Sequence, residues 1–167
     1  MRAKKSYGQH FLHNTTFAER ISRLPDYAAC PRMLEVGPGR GALTRFLLQQ
    51  PAHLKVVEAD RDMIRYVRAA DDVPLSDGDI IDGDILRLDL SAVFAGAPFV
   101  LIGNYPYNIS SQILIHLLEH RRFIPETVGM FQREVAERVV ASKGSKTYGT
   151  LSVILQVYYD FRIAFRV

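Results

Sequence analysis

The sequence predicts an α/β protein with a mostly parallel, doubly wound sheet of seven strands, helices on both faces and an antiparallel hairpin at its end. Through most of the chain, short apolar runs alternate with segments of helical spacing, as in strands joined by crossover helices. Residues 151–159 and 161–167 differ, because they form β-rich runs separated by Asp160 alone. No crossover helix fits between runs that close, so we expect them to pair antiparallel.

Each element before the hairpin has its own signal. A capping side chain at Asn14 or Thr15 begins the first helix, in which Phe17 and Ile21 share a face. Strands are predicted, in chain order, at residues 33–36, 54–59, 80–81, 99–103 and 127–131. Further helices are predicted at residues 42–50, 60–70, 110–118 and 135–141.

Composition limits the class of protein. With 167 residues and 48% hydrophobic content, residues 1–167 are predicted to form one domain around one core. The single cysteine, Cys30, excludes an internal disulfide and a thiolate zinc cluster. No apolar run approaches the roughly 20 residues that span a bilayer, and the basic start MRAKKSYGQHF is not followed by the apolar stretch of a signal peptide. We therefore expect a cytoplasmic monomer with no membrane partner.

Positive charge is concentrated in two parts of the sequence, although the formal net charge is only +3. The first part contains Arg2, Lys4 and Lys5 and no acid. The second part contains Arg121, Arg122, Arg133, Arg138, Lys143 and Lys146. If both parts lie on one face, the phosphates of a nucleic acid can bind there, but ordinary solvated surface charge explains them equally well.

The first predicted strand ends in EVGPGRGALT, where glycines alternate before a helix. Gly37, Gly39 and Gly41 allow a tight turn and the close approach of a ligand, while the helix that follows presents free N–H groups. An ordinary glycine turn is the less favoured interpretation. Ala42 also completes the dinucleotide pattern G-x-G-x-x-A, so this motif alone leaves the ligand open.

Acidic residues follow the second and third strands, at the edge where doubly wound sheets bind ligands. Glu58, about twenty residues after the glycines, can accept hydrogen bonds from both hydroxyls of a ribose. In GDIL, Asp84 can accept from an adenine amino group while the N–H of Ile85 faces a ring nitrogen. An acid after a strand is often only a turn former. Together, these strand ends predict a pocket for an adenosine, whether of NAD or of another cofactor.

The fourth strand runs directly into GNYPYN at residues 103–108. The amide oxygen of Asn104 and the carbonyl of Tyr105 can both accept from one exocyclic amino group, and Pro106 has no N–H to compete. The Tyr107 ring can stack on a base. A proline turn with packed tyrosines is the alternative. The motif thus predicts a site for a flat, amino-bearing base and does not suit hydride transfer.

Several segments together resemble the KsgA-like family of rRNA adenine-N6 dimethyltransferases, which use S-adenosylmethionine. They are GQHFL, EVGPGRGALT, VVEAD, GDIL, NYPYNIS, FQREVAERV and YGTLSVILQ, and they extend over essentially the whole chain. The resemblance implies a Rossmann-like class I methyltransferase. It also implies dimethylation of two adjacent adenosines at N6 in the 3′-terminal hairpin of small-subunit rRNA, with the immature 30S subunit as partner and S-adenosylhomocysteine as product.

The resemblance also assigns roles to residues. The target-base motif, taken as catalytic, is Asn104, Tyr105, Pro106 and Tyr107. The cofactor-binding residues are Gln9, His10, Leu12, Gly37, Gly39, Gly41, Glu58, Ala59, Asp84, Ile85 and Asn104, with residues 1–13 closing over cofactor and RNA. The basic residues expected to contact RNA are Arg2, Lys4, Lys5, Arg133, Arg138, Lys143 and Lys146. No metal is expected, because His10 with His13 and His116 with His120 have ligand spacing but no clear third ligand.

Two substitutions and one absence depart from the family pattern. His10 replaces the usual asparagine, and Tyr105 replaces the leucine of N-L-P-Y. Because only the carbonyl of Tyr105 is needed, we expect the second change to be tolerated. The family's F-x-P-x-P segment and its C-terminal helical domain are expected to be absent. Cofactor binding is therefore expected even where full activity is not.

Three alternatives stay open at this point. Macrolide-resistance methyltransferases of large-subunit rRNA share the fold, although Pro38 and the pair Tyr148 and Gly149 fit the small-subunit branch better. A ribosome-assembly factor that acts mainly by binding would need RNA contacts more than a cofactor. A nicotinamide oxidoreductase would bind NAD and not S-adenosylmethionine.

Overall fold

The computed structural model describes residues 15–167, which contain a five-stranded parallel sheet of order β3-β2-β1-β4-β5. The strands are β1 Arg32–Val36, β2 His53–Glu58, β3 Ile80–Asp82, β4 Val100–Asn104 and β5 Glu126–Met130. The helices are α1 Thr15–Ser22, α2 Thr44–Leu47, α3 Arg61–Ala69, α4 Ser110–Glu119, α5 Arg133–Val139 and α6 Thr150–Gln156. The α/β class with a mostly parallel sheet is confirmed.

The central strand β1 has neighbours on both sides. Val36 at its carboxyl end lies opposite Val57 of β2 and Gly103 of β4. Residues 33–36 are all buried, as expected for a strand covered on both faces, and the apolar side chains of Met33, Leu34 and Val36 explain why this run forms the middle of the sheet. The first and fourth strands are therefore neighbours in the sheet.

Side chains that alternate along the strands build two cores, one on each face of the sheet. Met33 packs on one face with Ile21 of α1 and Val67 of α3. Leu34 packs on the other with Ile113 of α4. The crossover helices thus cover both faces, as the alternating pattern predicts. Asp60 caps α3, because its carboxylate accepts from the N–H of Asp62 at 3.0 Å.

The predicted strand at residues 151–159 is wrong, because Thr150–Gln156 is the helix α6. The Gly149 N–H donates to the Ser152 hydroxyl at 3.1 Å, which stabilises the start of this helix. Leu155 is fully buried against α4 and α5. The Gln156 amide donates to the carbonyls of Val139 and Ala141, at 2.8 and 2.9 Å. Burial of this helical face outweighs the β propensity of its side chains.

The second half of the predicted hairpin forms no strand either, since residues 157–167 contain none. Phe165 instead stacks on Phe17 of α1, with ring centroids 6.0 Å apart, and Phe161 packs beside α6. The described part of the chain therefore has five strands and not the seven expected, and no antiparallel hairpin. None of the helices in residues 15–167 is both long and apolar enough to cross a bilayer.

Candidate active site

The glycine motif forms a tight loop after β1. Gly37, Gly39 and Gly41 have φ angles of 67°, 55° and 76°, in the left-handed region that favours glycine. The Gly41 N–H donates to the Pro38 carbonyl at 2.8 Å and closes the turn. A Cβ built on Gly37 would meet no atom within 4 Å, so the loop is open on that side. This geometry admits a ligand to the backbone at the end of β1.

Glu58 ties this loop to the end of β2. Its carboxylate accepts from the N–H of Gly39 at 3.2 Å and from the N–H of Asp60 at 2.9 Å. Burial raises the pKa of Glu58, and the hydrogen bonds from Asp60 and Gly39 oppose that rise. The N–H of Ala59 also interacts with this carboxylate, but a carboxylate has about four lone-pair positions, so Glu58 keeps some capacity to accept from a ligand. Glu58 thus both shapes the loop and lines the space beside it.

Asp84 lies in the turn after β3. Glu58 at the end of β2 pairs with Asp82, which places this turn beside the glycine loop. The Asp84 carboxylate accepts from the N–H of Leu86 at 3.0 Å, as in the turn-former interpretation. Its side chain is nevertheless 45% exposed, whereas the Ile85 side chain is buried. Asp84 therefore stabilises a turn and still presents an oxygen to solvent.

The segment GNYPYN follows β4 at the same edge of the sheet. Gly103 lies opposite Val36, so Asn104 emerges next to the glycine loop. The Ile109 N–H donates to the carbonyl of Pro106 at 3.1 Å, in the turn that leads into α4. Tyr107 is half-buried and Asn108 is exposed. Polar groups of β1, β2, β3 and β4 thus meet at one edge, as the sequence predicts.

The Tyr105 side chain points away from this edge into the core. Its ring is 1% exposed and lies 4.9 Å, centroid to centroid, from that of Phe131. Its hydroxyl lies 2.8 Å from the Thr127 hydroxyl and donates to the Leu101 carbonyl at 3.2 Å. Burial raises the pKa of this phenol. The side chain therefore anchors the loop, while the residue offers only its backbone to a ligand.

Gly129 is a site residue that sequence reasoning missed. The Tyr105 ring occupies the space beside it, since a Cβ on Gly129 would overlap Cε2 of the ring and lie 2.6 Å from Cδ2. Gly103 is similarly confined, with its Cβ position 2.7 Å from the Val36 carbonyl oxygen. A glycine inside an apolar strand is the available signal, because it often marks the close approach of another group.

Glu35 is the second residue that sequence reasoning missed. It lies in β1 directly beneath the glycine loop and is 1% exposed. Burial raises the pKa of Glu35 to about 8, the nearby Thr44 hydroxyl opposes the rise, and the charge of Glu58 adds to it. The Glu35 side chain is therefore a neutral acid near pH 7. An acid within an otherwise apolar strand was its sequence signal.

Glu35 should make stability depend on pH. The unfolded carboxyl loses its proton near its ordinary pKa of 4.5 and the folded one near 8, so stability falls as pH rises across that window. Glu35→Gln removes this dependence, and at pH 8.5 we expect its melting temperature to gain on the order of 10 °C on the parent, relative to pH 5. Melting curves at both pH values measure this gain. The exposed Glu134→Gln serves as control, and an equal pH dependence in parent and Glu35→Gln would contradict the assignment.

The basic residues divide between two edges of the sheet. Arg133 begins α5, just after the carboxyl end of β5, and Asn104 pairs with Met130 there. The exposed residues Arg138, Lys143 and Lys146 follow on α5 and the next loop. Arg121 and Arg122 follow α4, which returns the chain to the amino edge. They are therefore separated from the site, whereas α5 begins beside it.

Some of the predicted site residues lie outside the residues that the structure describes. They are Arg2, Lys4, Lys5, Gln9, His10 and Leu12. Of the remaining cofactor residues, Ala59 is exposed beside Glu58. The placed residues converge on one edge around a glycine loop, a buried carboxylate and the amide of Asn104.

Comparison with known proteins adds three kinds of similarity. A sequence profile described as ribosomal RNA adenine dimethylase matches residues 1–167. The chain is 46% identical over 167 residues to ribosomal RNA small subunit methyltransferase A of Phocaeicola vulgatus, covering 100% of this chain and 59% of that protein. It is 47% identical to the protein of the same name from Bacteroides thetaiotaomicron, covering 62% of it. The chain thus spans about three fifths of the length of the curated relatives it matches.

Solved structures show the same fold. A dimethyladenosine transferase from Plasmodium falciparum superposes with a TM-score of 0.67 at 30% identity, over 89% of this chain and 52% of that one. The 23S rRNA methyltransferase ErmE superposes with a TM-score of 0.62 at 23% identity, over 81% of this chain and 53% of that one. At 23% identity, the similarity to ErmE supports the fold alone.

Proposed function

The chain belongs to the ribosomal RNA adenine dimethylase family, and from this premise we propose that it transfers methyl groups from S-adenosylmethionine to N6 of two adjacent adenosines near the 3′ end of small-subunit rRNA. The observation that carries the proposal is the register of β1 and β4, in which Val36 lies opposite Gly103. This register brings the glycine loop and Asn104 to neighbouring strand ends, so a donor and an acceptor bound there would be in reach of each other.

The residues at this edge fit an S-adenosylmethionine molecule. The open side of Gly37 admits a ligand to the backbone, and the buried Glu58 carboxylate has lone pairs for ribose hydroxyls. Asp84 and the N–H of Ile85 follow β3, where they can accept from and donate to an adenine. Gly39, Gly41 and Ala59 are proposed to form the rest of the cofactor-binding surface. Gln9, His10 and Leu12 are proposed to close over the cofactor.

Asn104 and Tyr105 are proposed to hold the target amine. The Asn104 amide oxygen and the Tyr105 carbonyl accept from the two N–H groups of an adenine N6, which favours a nitrogen with more localised electron density. Pro106 offers no competing N–H, and the half-buried Tyr107 ring provides a stacking face for the base.

Methyl transfer then needs alignment more than acid–base catalysis. S-adenosylmethionine supplies a sulfonium methyl that is already activated, so this step requires no metal. The N6 lone pair forms the N–C bond as the C–S bond breaks, and the N–H proton leaves to solvent once the nitrogen becomes acidic. Holding the two reactants in line can provide an effective molarity of about 10⁵ M in favourable cases. A second transfer requires the methylated amine to turn within the same pocket.

The RNA is proposed to lie across the start of α5. Arg133 begins this helix beside the active-site edge, and the exposed Arg138, Lys143 and Lys146 extend the positive charge away from it. Together with Arg2, Lys4 and Lys5 they are proposed to contact phosphates, which makes binding dependent on salt. The proposed substrate is the immature 30S subunit and the proposed compartment the cytoplasm, with the protein acting as a monomer.

The comparisons favour this function over the alternatives. The relatives at 46% and 47% identity are named small subunit methyltransferases, whereas the large-subunit enzyme ErmE is 23% identical. A nicotinamide oxidoreductase has no counterpart among these relatives. A ribosome-assembly role that depends mainly on binding would leave association with immature subunits intact when the cofactor site is damaged.

Glu58→Ala tests the cofactor site. Losing hydrogen bonds to a charged acceptor costs about 1.5–3 kcal/mol, so we expect affinity for S-adenosylmethionine to fall about 10-fold or more. Isothermal titration measures the change, with the exposed Glu134→Ala as control and NAD as the competing ligand. Unchanged affinity in Glu58→Ala, or tighter binding of NAD than of S-adenosylmethionine by the parent, would contradict the proposal.

A further inference from the structure

A second group of polar side chains lies at the end of α4, away from the active-site edge. His116, Glu119 and His120 each bring one ligand atom to within 4.8 Å of the others. Their spacing of three and four residues places them on one face of the helix. The helix rises about 15 Å over its ten residues, so this group is separated from the target-base motif that precedes α4.

Hydrogen bonds orient both imidazole rings. His116 Nε2 lies 3.0 Å from the Leu88 carbonyl, and His120 Nδ1 lies 3.0 Å from the His116 carbonyl. A carbonyl only accepts, so each of these nitrogens carries the proton and donates. In the neutral rings, His116 Nδ1 and His120 Nε2 therefore keep their lone pairs. Histidines that bind metals are commonly held in this way, with the other ring N–H donated to a carbonyl.

Each of these lone pairs faces a carboxylate. Glu119 Oε2 lies 3.4 Å from His116 Nδ1, and Asp89 Oδ1 lies 3.9 Å from His120 Nε2. Two acceptors that face each other require a proton or a cation between them. The His116 and His120 side chains are only 12% and 22% exposed, so water competes weakly for this position. The His116 and His120 rings are close together, with their centroids 4.5 Å apart.

We propose that His116, His120 and Glu119 bind a divalent transition-metal ion of the zinc class, with water as the fourth ligand. Zinc binds histidine nitrogen at about 2.0–2.1 Å in tetrahedral sites, which separates neighbouring ligand atoms by about 3.4 Å. The gap of 3.4 Å between Glu119 Oε2 and His116 Nδ1 matches this spacing, and the three ligand atoms all lie within 4.8 Å of one another. The Glu119 side chain is 66% exposed and has room to adjust.

The ion would have a structural role. It would fix the end of α4, which already meets residues 88–90 through the His116–Leu88 hydrogen bond, the His120–Asp89 pair and apolar packing of Leu90. Metal bound to the folded state stabilises it in proportion to the logarithm of its concentration. The sequence indicates only the histidine pair, because Glu119 is one of many acids.

The test is a titration of the metal-free full chain with Zn²⁺, and with Co²⁺ to report tetrahedral geometry by its visible absorption. We expect one tightly bound ion per chain, a higher melting temperature in its presence, and at least a tenfold weaker affinity in His120→Gln and in Glu119→Gln. His53→Gln is the matched control, because His53 pairs with the single carboxylate of Asp79 at 2.7 Å.

Two results would overturn the proposal. One is the absence of stoichiometric binding to the parent chain. The other is equal affinity in the parent, His120→Gln and Glu119→Gln, which would place the ion elsewhere. Both variants keep the His116–Leu88 hydrogen bond intact and are therefore expected to fold.

Discussion

Asn104→Ala is expected to lower methyl transfer by about 10²–10³-fold, the usual cost of removing one group that stabilises charge in a transition state. The amide oxygen is proposed to accept from the target amine while the nitrogen attacks, so its loss should act on the chemical step. Affinity for S-adenosylmethionine should change by less than about threefold, because this cofactor is held mainly by the glycine loop and Glu58.

Single-turnover transfer and isothermal titration separate the two effects. Asn108→Ala is the matched control, since Asn108 lies in the same loop but is exposed. A loss of cofactor affinity as large as the loss of transfer would show that Asn104 serves the cofactor and not the target base.

Gly129→Ala is expected to displace the target-base loop. Its new methyl group would overlap the Tyr105 ring, which is anchored by Thr127 and packed on Phe131. Overpacking of this kind costs about 1–3 kcal/mol of stability. Because a misplacement of about 1 Å can cost about 10²-fold in rate, transfer should fall far more than stability alone explains.

A second substitution makes this prediction specific. In the Gly129→Ala background, Tyr105→Leu replaces the ring by a shorter side chain and should restore both stability and transfer in part. Melting temperatures and transfer rates of the two single variants and the double variant measure the coupling. Additive losses would show that the ring and the glycine act independently. Gly78→Ala is the control, because the nearest atom to its Cβ position is 3.8 Å away.

The parallel sheet could be predicted because its signals are local. Short apolar runs, most of them followed by a helical pattern, indicate strands and crossovers without knowledge of the tertiary structure. The place of the site followed from the same pattern, since parallel strands bring their carboxyl ends to one edge. Val36, Gly103 and Glu58 accordingly lie where the sequence indicates.

The segment at residues 150–156 could not be predicted in this way. Its branched and aromatic neighbours favour a strand, but Ser152 and Leu155 have the spacing of a helical face and are buried against α4 and α5. Which tendency prevails depends on contacts with elements distant in sequence. The same holds for Gly129, whose role depends on a ring that arrives from the neighbouring strand.

The distribution of charge was predicted only in part. The basic residues between 121 and 146 form one group in sequence. However, Arg121 follows α4 at the amino edge of the sheet, and β5 then carries the chain to the carboxyl edge, where Arg133 lies. Likewise, His116 and His120 have metal-ligand spacing in the sequence, while Asp89 joins them only in the folded chain. Spacing along one helix is readable from sequence, and contacts between elements are not.

The most direct test of the account is transfer of a labelled methyl group from S-adenosylmethionine to small ribosomal subunits that lack dimethyladenosine, followed by mapping of the labelled base. We expect label on N6 of two adjacent adenosines near the 3′ end of the rRNA. Label on another base or atom, or no label from a chain that binds the cofactor, would contradict the claim that Asn104 presents an adenine amine to the donor held at Gly37.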